Sequence, residues 1–238
     1  MTTIAKADIR RLLLADDREA LRAMAGRSRR TLSVLMSLTY DPDELVAWRA
    51  AEAMGVAAGV ILETDPEFVR GVLRRLMWSL NDESGGIGWK SPQAMGAMVA
   101  ARPDELAEFA PILVSLFEIE EETFRPGTLW AVARVAARAP HAMASAAPWA
   151  LQHLRADDAE TRAYACLCVG QMGLQEAAPA LRALVRDEAP TRLYRVGALQ
   201  ERTVGEAAAL ALAQLTGEAP QPAQARLTPQ RPAPPTPG

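Results

Sequence analysis

Apolar residues recur along the chain at the spacing of one face of an α-helix. Between residues 69 and 80 they occupy positions i, i+3, i+4, i+7, i+8 and i+11, as expected when one side of a helix is buried. These positions are Val69, Val72, Leu73, Leu76, Met77 and Leu80. None of the strong signals has the period of 2 that a β-strand gives. We therefore expect an all-α molecule with no sheet.

The same template returns at intervals of 37 residues. The second copy is Leu106, Phe109, Ala110, Leu113, Val114 and Phe117, and the third is Met143, Ala146, Ala147, Ala150, Leu151 and Leu154. Weaker copies begin at Leu32 and at Ala177. A fixed period of this length is typical of stacked helical hairpins. The sequence predicts an α-α superhelix, or solenoid, of about five such hairpins.

A second helix is predicted in each interval, with a small residue at a fixed place. Gly96, Ala133 and Gly170 are 37 residues apart, and a small residue there lets a neighbouring helix approach closely. The predicted pairs are 30–40 with 43–62, 66–80 with 91–101, 104–118 with 126–138, 142–155 with 159–172, and 175–187 with 203–216. A short helix near residues 5–25 is expected to cap the first repeat.

Composition sets the domain limits and the expected location. Residues 1–217 should form the solenoid, whereas 218–238 are rich in proline and poor in large apolar residues, which predicts a disordered tail. The formal net charge of −3 gives no general attraction to nucleic acid, so we expect no nucleic-acid partner. Neither a signal-peptide core nor a membrane-spanning stretch is visible, which predicts a cytoplasmic protein without membrane association.

Several strings resemble a known type of repeat. Residues 48–55 (WRAAEAMG) and 161–187 (TRAYACLCVGQMGLQEAAPALRALVRD) look like the HEAT-like repeats first recognised in phycobilin lyases. Residues 78–96, followed by 125–136, resemble a bacterial HEAT-repeat family of unassigned function. The repeat consensus consists of packing residues, so the resemblance implies a scaffold and little about chemistry.

One segment breaks the period. In the second repeat, residues 81–90 (NDESGGIGWK) replace the start of the second helix and carry three glycines within four positions. Glycine is a poor helix former, which predicts a loop at the rim of the solenoid, with the helix restarting at Ser91. The candidate partner- or ligand-binding residues are Asp82, Glu83, Trp89 and Lys90. A purely structural loop, in which Ile87 and Trp89 fill the gap, is the alternative.

The remaining candidates for chemistry are sparse. Neither a zinc-ligand spacing nor a phosphate-loop or dinucleotide fingerprint occurs, so we expect no metal site, no cofactor and no catalytic residues. Arg125 and Arg162 are 37 residues apart and follow acidic residues, which favours a salt-bridge ladder between repeats over an anion-binding stripe. Tryptophans within predicted helices are interpreted as packing residues; they are Trp48, Trp78, Trp130 and Trp149. The insertion 188–203 is expected to extend over one end as a loop or short hairpin.

These patterns favour a non-enzymatic protein-interaction scaffold. Stacked helix pairs create an extended surface, and the loop at 81–90 would contribute to its rim. A DNA-binding protein resembling the alkylpurine DNA glycosylases is a second reading, because those enzymes also resemble HEAT-like solenoids. A chaperone resembling the phycobilin lyases is a third, suggested by the repeat type alone.

Overall fold

Five helix pairs follow one another in the chain. The computed structural model describes residues 5–80, 90–119 and 122–217. Two helices come first, α1 (Lys6–Leu14) and α2 (Arg18–Arg27). The repeats then pair α3 (Arg30–Leu38) with α4 (Glu44–Ile61), α5 (Pro66–Leu80) with α6 (Ser91–Ala101), α7 (Ala110–Ser115) with α8 (Arg125–Ala136), α9 (Ala147–His153) with α10 (Ala159–Met172), and α11 (Ala178–Leu184) with α12 (Val204–Thr216). This is the predicted all-α solenoid of HEAT-like hairpins.

The core follows the 37-residue template. Leu76, Leu113 and Ala150 occupy the same slot of three successive repeats, 37 residues apart, and each is at most 1% exposed. The second helices α4, α6, α8, α10 and α12 form a layer in which each packs against the next. At Gly170, an added Cβ would lie 2.9 Å from the Cα of Ala211 on the next helix. The prediction that small residues allow close approach of these helices is confirmed there.

Prolines shorten the first helices of the last three repeats. The sequence predicted continuous helices over 104–118, 142–155 and 175–187, but each α-helix is preceded by a 3-10 segment. Pro111, Pro148 and Pro179 stand at the second position of α7, α9 and α11. Proline has no N–H to donate, and its ring displaces the carbonyl one turn earlier, so a regular α-helix starts only there.

Two helices, rather than one, precede the first repeat. The chain turns at Asp16, which has a left-handed φ of 51°. Asp17 then caps α2, since its carboxylate accepts a hydrogen bond from the N–H of Ala20 at 2.9 Å. Both α1 and α2 pack against α4.

The expectation of no sheet was wrong for the insertion. Strands β1 (Pro190–Arg195) and β2 (Ala198–Thr203) form an antiparallel hairpin between α11 and α12. Its two-residue turn, Val196 and Gly197, has positive φ at both positions, which matches the twist of paired strands. Thr203 ends β2 and also caps α12 in a capping box with Glu206.

Residues 218–238 lie outside the described part of the chain, so the predicted disorder of the tail stays a prediction. Within the described residues, no helix combines the length and the apolar character needed to cross a membrane.

Candidate functional site

The layer of second helices is curved, so that repeats distant in the sequence are in contact. Trp48 belongs to α4 and Tyr164 to α10, three helices further along the layer, yet their ring centroids are 6.1 Å apart. Trp130 of α8 lies between them in the chain and meets Trp48 edge-on at 5.7 Å. We call the surface that carries these rings the inner face. Its curvature brings the first and fourth repeats into direct contact.

The starts of the helices set this arrangement. Asp43 and Asp158 cap α4 and α10 with their carboxylates, so both helices begin at a defined residue. Trp48 and Tyr164 then follow their caps by five and six residues, respectively. The aromatic rings therefore lie at one level, near the edge where the first helix of each repeat turns into the second. We call this edge the turn edge.

A buried carboxylate joins four segments on the inner face. Glu52 lies one helical turn after Trp48 on α4. It is ion-paired with Arg134 of α8 at 2.7 Å and with Arg18 of α2 at 2.9 Å. The hydroxyl of Tyr194, on β1, donates a third hydrogen bond to it at 2.7 Å. A buried charge is stabilised only when it is paired and hydrogen-bonded, and Glu52 meets this condition.

The β-hairpin fills the space between the inner-face rings. Tyr194 is 1% exposed and stacks on Trp48, with centroids 4.9 Å apart and planes within 10°. Its backbone N–H donates to the hydroxyl of Tyr164 at 2.9 Å. Burial, with the charge of Glu52 next, raises the pKa of the Tyr194 phenol well above its usual range, so the hydroxyl stays protonated as a donor.

Polar contacts attach the edges of the hairpin to the first repeat. Arg192 of β1 is ion-paired with Glu44 at 2.8 Å. Arg49 of α4 donates to the carbonyl of Gly197, in the turn, at 2.8 Å. The insertion therefore forms the short hairpin that was one of its two expected forms, but it lies across the inner face and reaches α4 instead of covering one end.

Lys90 is the one candidate from the sequence that the structure describes. It stands at the N-cap of α6, with its Nζ 4.4 Å from the centre of the Trp48 ring. Burial lowers the pKa of its ammonium group, against the opposing charges of Glu44 and Glu160. Burial also raises the pKa of Glu160. Lys90 therefore lies at the turn edge, against the inner-face ring of Trp48.

The other three candidates, Asp82, Glu83 and Trp89, lie outside the described residues. Nothing in the structure tests their assignment. The described chain resumes at Lys90, one residue before α6 begins at Ser91, where the sequence predicted the helix to restart.

The arginine and tryptophan predictions have mixed outcomes. Arg162 pairs with Asp187 of the fifth repeat at 2.9 Å, as a ladder between repeats requires. Arg125 instead pairs with Glu122 of its own repeat at 2.6 Å. The interpretation of Trp78 as a packing residue was wrong, because its side chain in the last turn of α5 is 77% exposed.

Comparisons with known proteins assign no function to these residues. No family model matches the chain. An uncharacterised protein of Archaeoglobus fulgidus is 31% identical over 86 residues, which cover 36% of this chain and 44% of that protein. This chain therefore aligns with less than half the length of that relative. The crystal structure of an archaeal HEAT-like repeats protein from Thermococcus onnurineus matches with a TM-score of 0.39 and 17% identity, over 92% of this chain and 83% of the other.

This chain resembles HEAT-like repeat proteins. Its helices are paired, its second helices stack in one layer, and the apolar template recurs every 37 residues in the three central repeats. The resemblance concerns architecture, and it assigns no chemistry to the inner face.

Sequence reasoning missed Glu52 and Tyr194, the centre of the inner-face cluster. Glu52 carried a usable signal, because a carboxylate one turn after Trp48 lies on the same side of the predicted helix. Tyr194 carried none, since it is 142 residues from Glu52 and lies in an insertion outside the period. Within the described residues, no group of three or more histidine, cysteine or acidic side chains is placed to hold a metal ion.

Proposed function

We propose that this chain is a non-enzymatic protein-interaction module that binds its partner at the turn edge, around residues 78–90. The observation that carries the proposal is Trp78, a large aromatic side chain that is 77% exposed immediately before the predicted loop. Exposed tryptophans are frequent anchors of protein interfaces, because they bury a large area and lose little conformational entropy.

The inner face is occupied by the hairpin, which favours a partner site elsewhere on the molecule. In a solenoid the inner face commonly forms the binding groove. Here Tyr194 occupies that position and is stacked, hydrogen-bonded and almost inaccessible. A partner therefore finds its free surface outside the hairpin, and the turn edge at α5 and α6 offers one.

Neighbouring charges suggest the chemistry of the partner. Arg74 and Arg75 precede Trp78 on α5, and both are exposed. Arg74 approaches Glu67 only at 3.8 Å, between two side chains that are more than half exposed, so this ion pair holds it weakly. An aromatic anchor beside two arginines suits a partner with an apolar pocket and an acidic rim. The predicted loop residue Trp89 would extend the same aromatic surface, whereas Asp82 and Glu83 would face basic groups of the partner beyond its acidic rim.

A comparative pull-down tests the proposal. The full chain is immobilised as wild type, as Trp78→Ala and as Tyr40→Ala, and bound proteins from the source cell are identified by mass spectrometry. Tyr40 is the matched control, because it is another exposed aromatic residue, 47% accessible, after α3. We expect Trp78→Ala to lose partners that both wild type and Tyr40→Ala retain, with an unchanged melting temperature. Identical captured sets from all three proteins would contradict the proposal.

Further variants test the loop residues. If residues 81–90 form the predicted recognition loop, replacing Asp82 and Glu83 with alanine should weaken capture with little change in stability, because carboxylates in an exposed loop contribute little. Trp89→Ala separates the two interpretations of the loop. Lost capture at unchanged stability supports a contact residue, whereas a fall in stability of about 3 kcal/mol or more shows that Trp89 fills a gap in the fold.

The glycosylase-like alternative has a direct test of its own. Positive charge on the inner face is offset, since Arg18 and Arg134 are paired with Glu52 and Arg192 with Glu44. We expect no gel shift with duplex DNA. A shift that weakens steeply with added salt would favour DNA binding instead.

A further inference from the structure

A surface depression at the turn edge lies apart from the inner-face cluster. It has a volume of about 530 Å³ and is formed where the start of α8 meets the end of α9. Its polar lining consists of Arg125, Gln152, His153 and Arg155, and Leu151 and Pro148 contribute apolar walls. Neither the resemblance to HEAT-like repeats nor the proposed interaction surface assigns a role to this depression.

His153 is the most buried polar residue of the lining. Only 5% of it is exposed, and its Nδ1 lies 2.7 Å from the carbonyl oxygen of Trp149. A carbonyl only accepts, so Nδ1 carries the proton, and Nε2 of the neutral ring keeps a lone pair. Phe117 holds the ring from one side, with centroids 5.4 Å apart, and itself stacks on Trp149. The described residues give Nε2 no hydrogen-bond partner.

Two arginines line the depression together with this imidazole. Arg155 is exposed and forms no ion pair within the described residues. Arg125 pairs with Glu122 through one terminal nitrogen, and its buried Nε has no hydrogen-bond partner. Burial lowers the pKa of His153, and the charge of Arg125 lowers it further; the hydrogen bond to Trp149 and the charge of Glu122 act in the opposite direction. Within the described residues, the lining therefore combines a neutral acceptor, His153, with Arg155, a cation that has no ion-pair partner.

We propose that this depression binds a small oxyacid anion that keeps one acidic proton, namely hydrogen phosphate or the monoanion of a phosphomonoester. Its negative oxygens would bind the guanidinium groups of Arg155 and Arg125. Its P–OH group would donate to Nε2 of His153. A fully ionised anion lacks this donor and can use Nε2 only after His153 takes up a proton. Selectivity for a protonated anion follows from this combination of acceptor and cations.

Histidine NMR on the full chain provides the test. The chain has two histidines, and the exposed His141 serves as an internal reference. Ring resonances of both are followed at about pH 6.5, near the second pKa of a phosphomonoester, during titration with inorganic phosphate or sulfate at constant ionic strength. We expect phosphate to shift His153 saturably without shifting His141. Sulfate, which has no acidic proton at this pH, should bind at least about tenfold more weakly.

A pair of arginine variants completes the experiment. Arg155→Gln should weaken phosphate binding by about tenfold or more, whereas Arg138→Gln, at another exposed arginine, should leave it unchanged. Phenyl phosphate distinguishes the two ligand sources when affinities are calculated for the protonated anion of each ligand, since tighter binding than that of inorganic phosphate indicates a phosphomonoester and weaker binding indicates free phosphate. Equal shifts at both histidines, equal binding of sulfate, or unchanged binding in Arg155→Gln would overturn the proposal.

Discussion

Glu52 shows how one side chain connects distant parts of this molecule. Its carboxylate receives Arg18 from the N-terminal helices, Arg134 from the third repeat and Tyr194 from the insertion. Each partner satisfies part of a charge that would be costly to bury alone. Removing the contact from one partner therefore measures how much that contact contributes to the stability of the protein.

Tyr194→Phe removes a single hydroxyl and leaves the stacked ring in place. We expect the free energy of unfolding to fall by about 2 kcal/mol, because a hydrogen bond to a buried carboxylate is lost without replacement. Urea denaturation followed by circular dichroism measures the change. Tyr40→Phe is the control, since that hydroxyl lies on an exposed residue, and it should be neutral. An equally neutral Tyr194→Phe would show that the hydrogen bond contributes little.

The cysteines give a second residue-scale prediction. Cys166 and Cys168 are fully buried in α10, and burial raises the pKa of both thiols to about 12. The reactive thiolate is therefore almost absent near neutral pH. A thiol reagent such as 5,5′-dithiobis-(2-nitrobenzoate) at about pH 8 should label neither cysteine in the native protein and both in concentrated guanidinium chloride. Rapid labelling of the native chain would contradict the burial of α10.

At the residue scale, the sequence predicted which residues pack in the core better than it predicted which side chains contact each other. Leu113 and Gly170 were identified as packing positions from period alone, because identical environments recur in every repeat. Trp78 was misassigned because its place within a predicted helix was taken as sufficient, although it lies outside the apolar positions that define the buried side of α5. Partners 142 residues apart, such as Glu52 and Tyr194, follow from the curvature of the layer, which no local pattern encodes.

At the scale of elements, the hairpin turn combines a suitable geometry with an unsuitable residue. Val196 has φ of 50°, a left-handed conformation that is strained for a β-branched side chain, and it is 89% exposed. Two-residue turns of this type favour asparagine followed by glycine, and Gly197 already supplies the second position.

Val196→Asn should therefore stabilise the protein, by about 1 kcal/mol, because it relieves backbone strain and removes no buried contact. Urea denaturation again provides the measurement. Val185→Asn is the control, since Val185 is also exposed but has an ordinary helical backbone, and it should bring no gain. Destabilisation by Val196→Asn would mean that the valine side chain has a role outside the turn geometry.

The helices and strands also show which features the apolar periodicity does not predict. The template located α7, α9 and α11 but not their 3-10 beginnings, because it registers apolar positions and ignores the missing N–H of Pro111, Pro148 and Pro179. In the insertion the sequence allowed a loop or a short hairpin but did not locate the strands, because consecutive residues Leu193 and Tyr194 are both buried and interrupt the alternation that a half-buried strand shows.

At the scale of the whole molecule, the hairpin changes how stability is distributed. An open solenoid is nearly one-dimensional, because each repeat contacts only its neighbours. In this chain, Tyr194 attaches the insertion of the fifth repeat to α4 of the first, and Arg192 and Gly197 add contacts at its edges. Disturbing the hairpin should therefore affect the far end of the molecule as well as its own repeat.

Hydrogen exchange of the backbone amides, followed by mass spectrometry, tests this closure directly. Wild type is compared with Tyr194→Ala and with Leu181→Ala, a control that removes core packing of the fifth repeat away from the hairpin contacts. Closure predicts that Tyr194→Ala accelerates exchange in α4 as well as in α10, whereas Leu181→Ala accelerates exchange in α11 and its neighbours and leaves α4 protected. If Tyr194→Ala leaves α4 exchange unchanged, the hairpin does not join the ends of the solenoid and the account of the inner face is wrong.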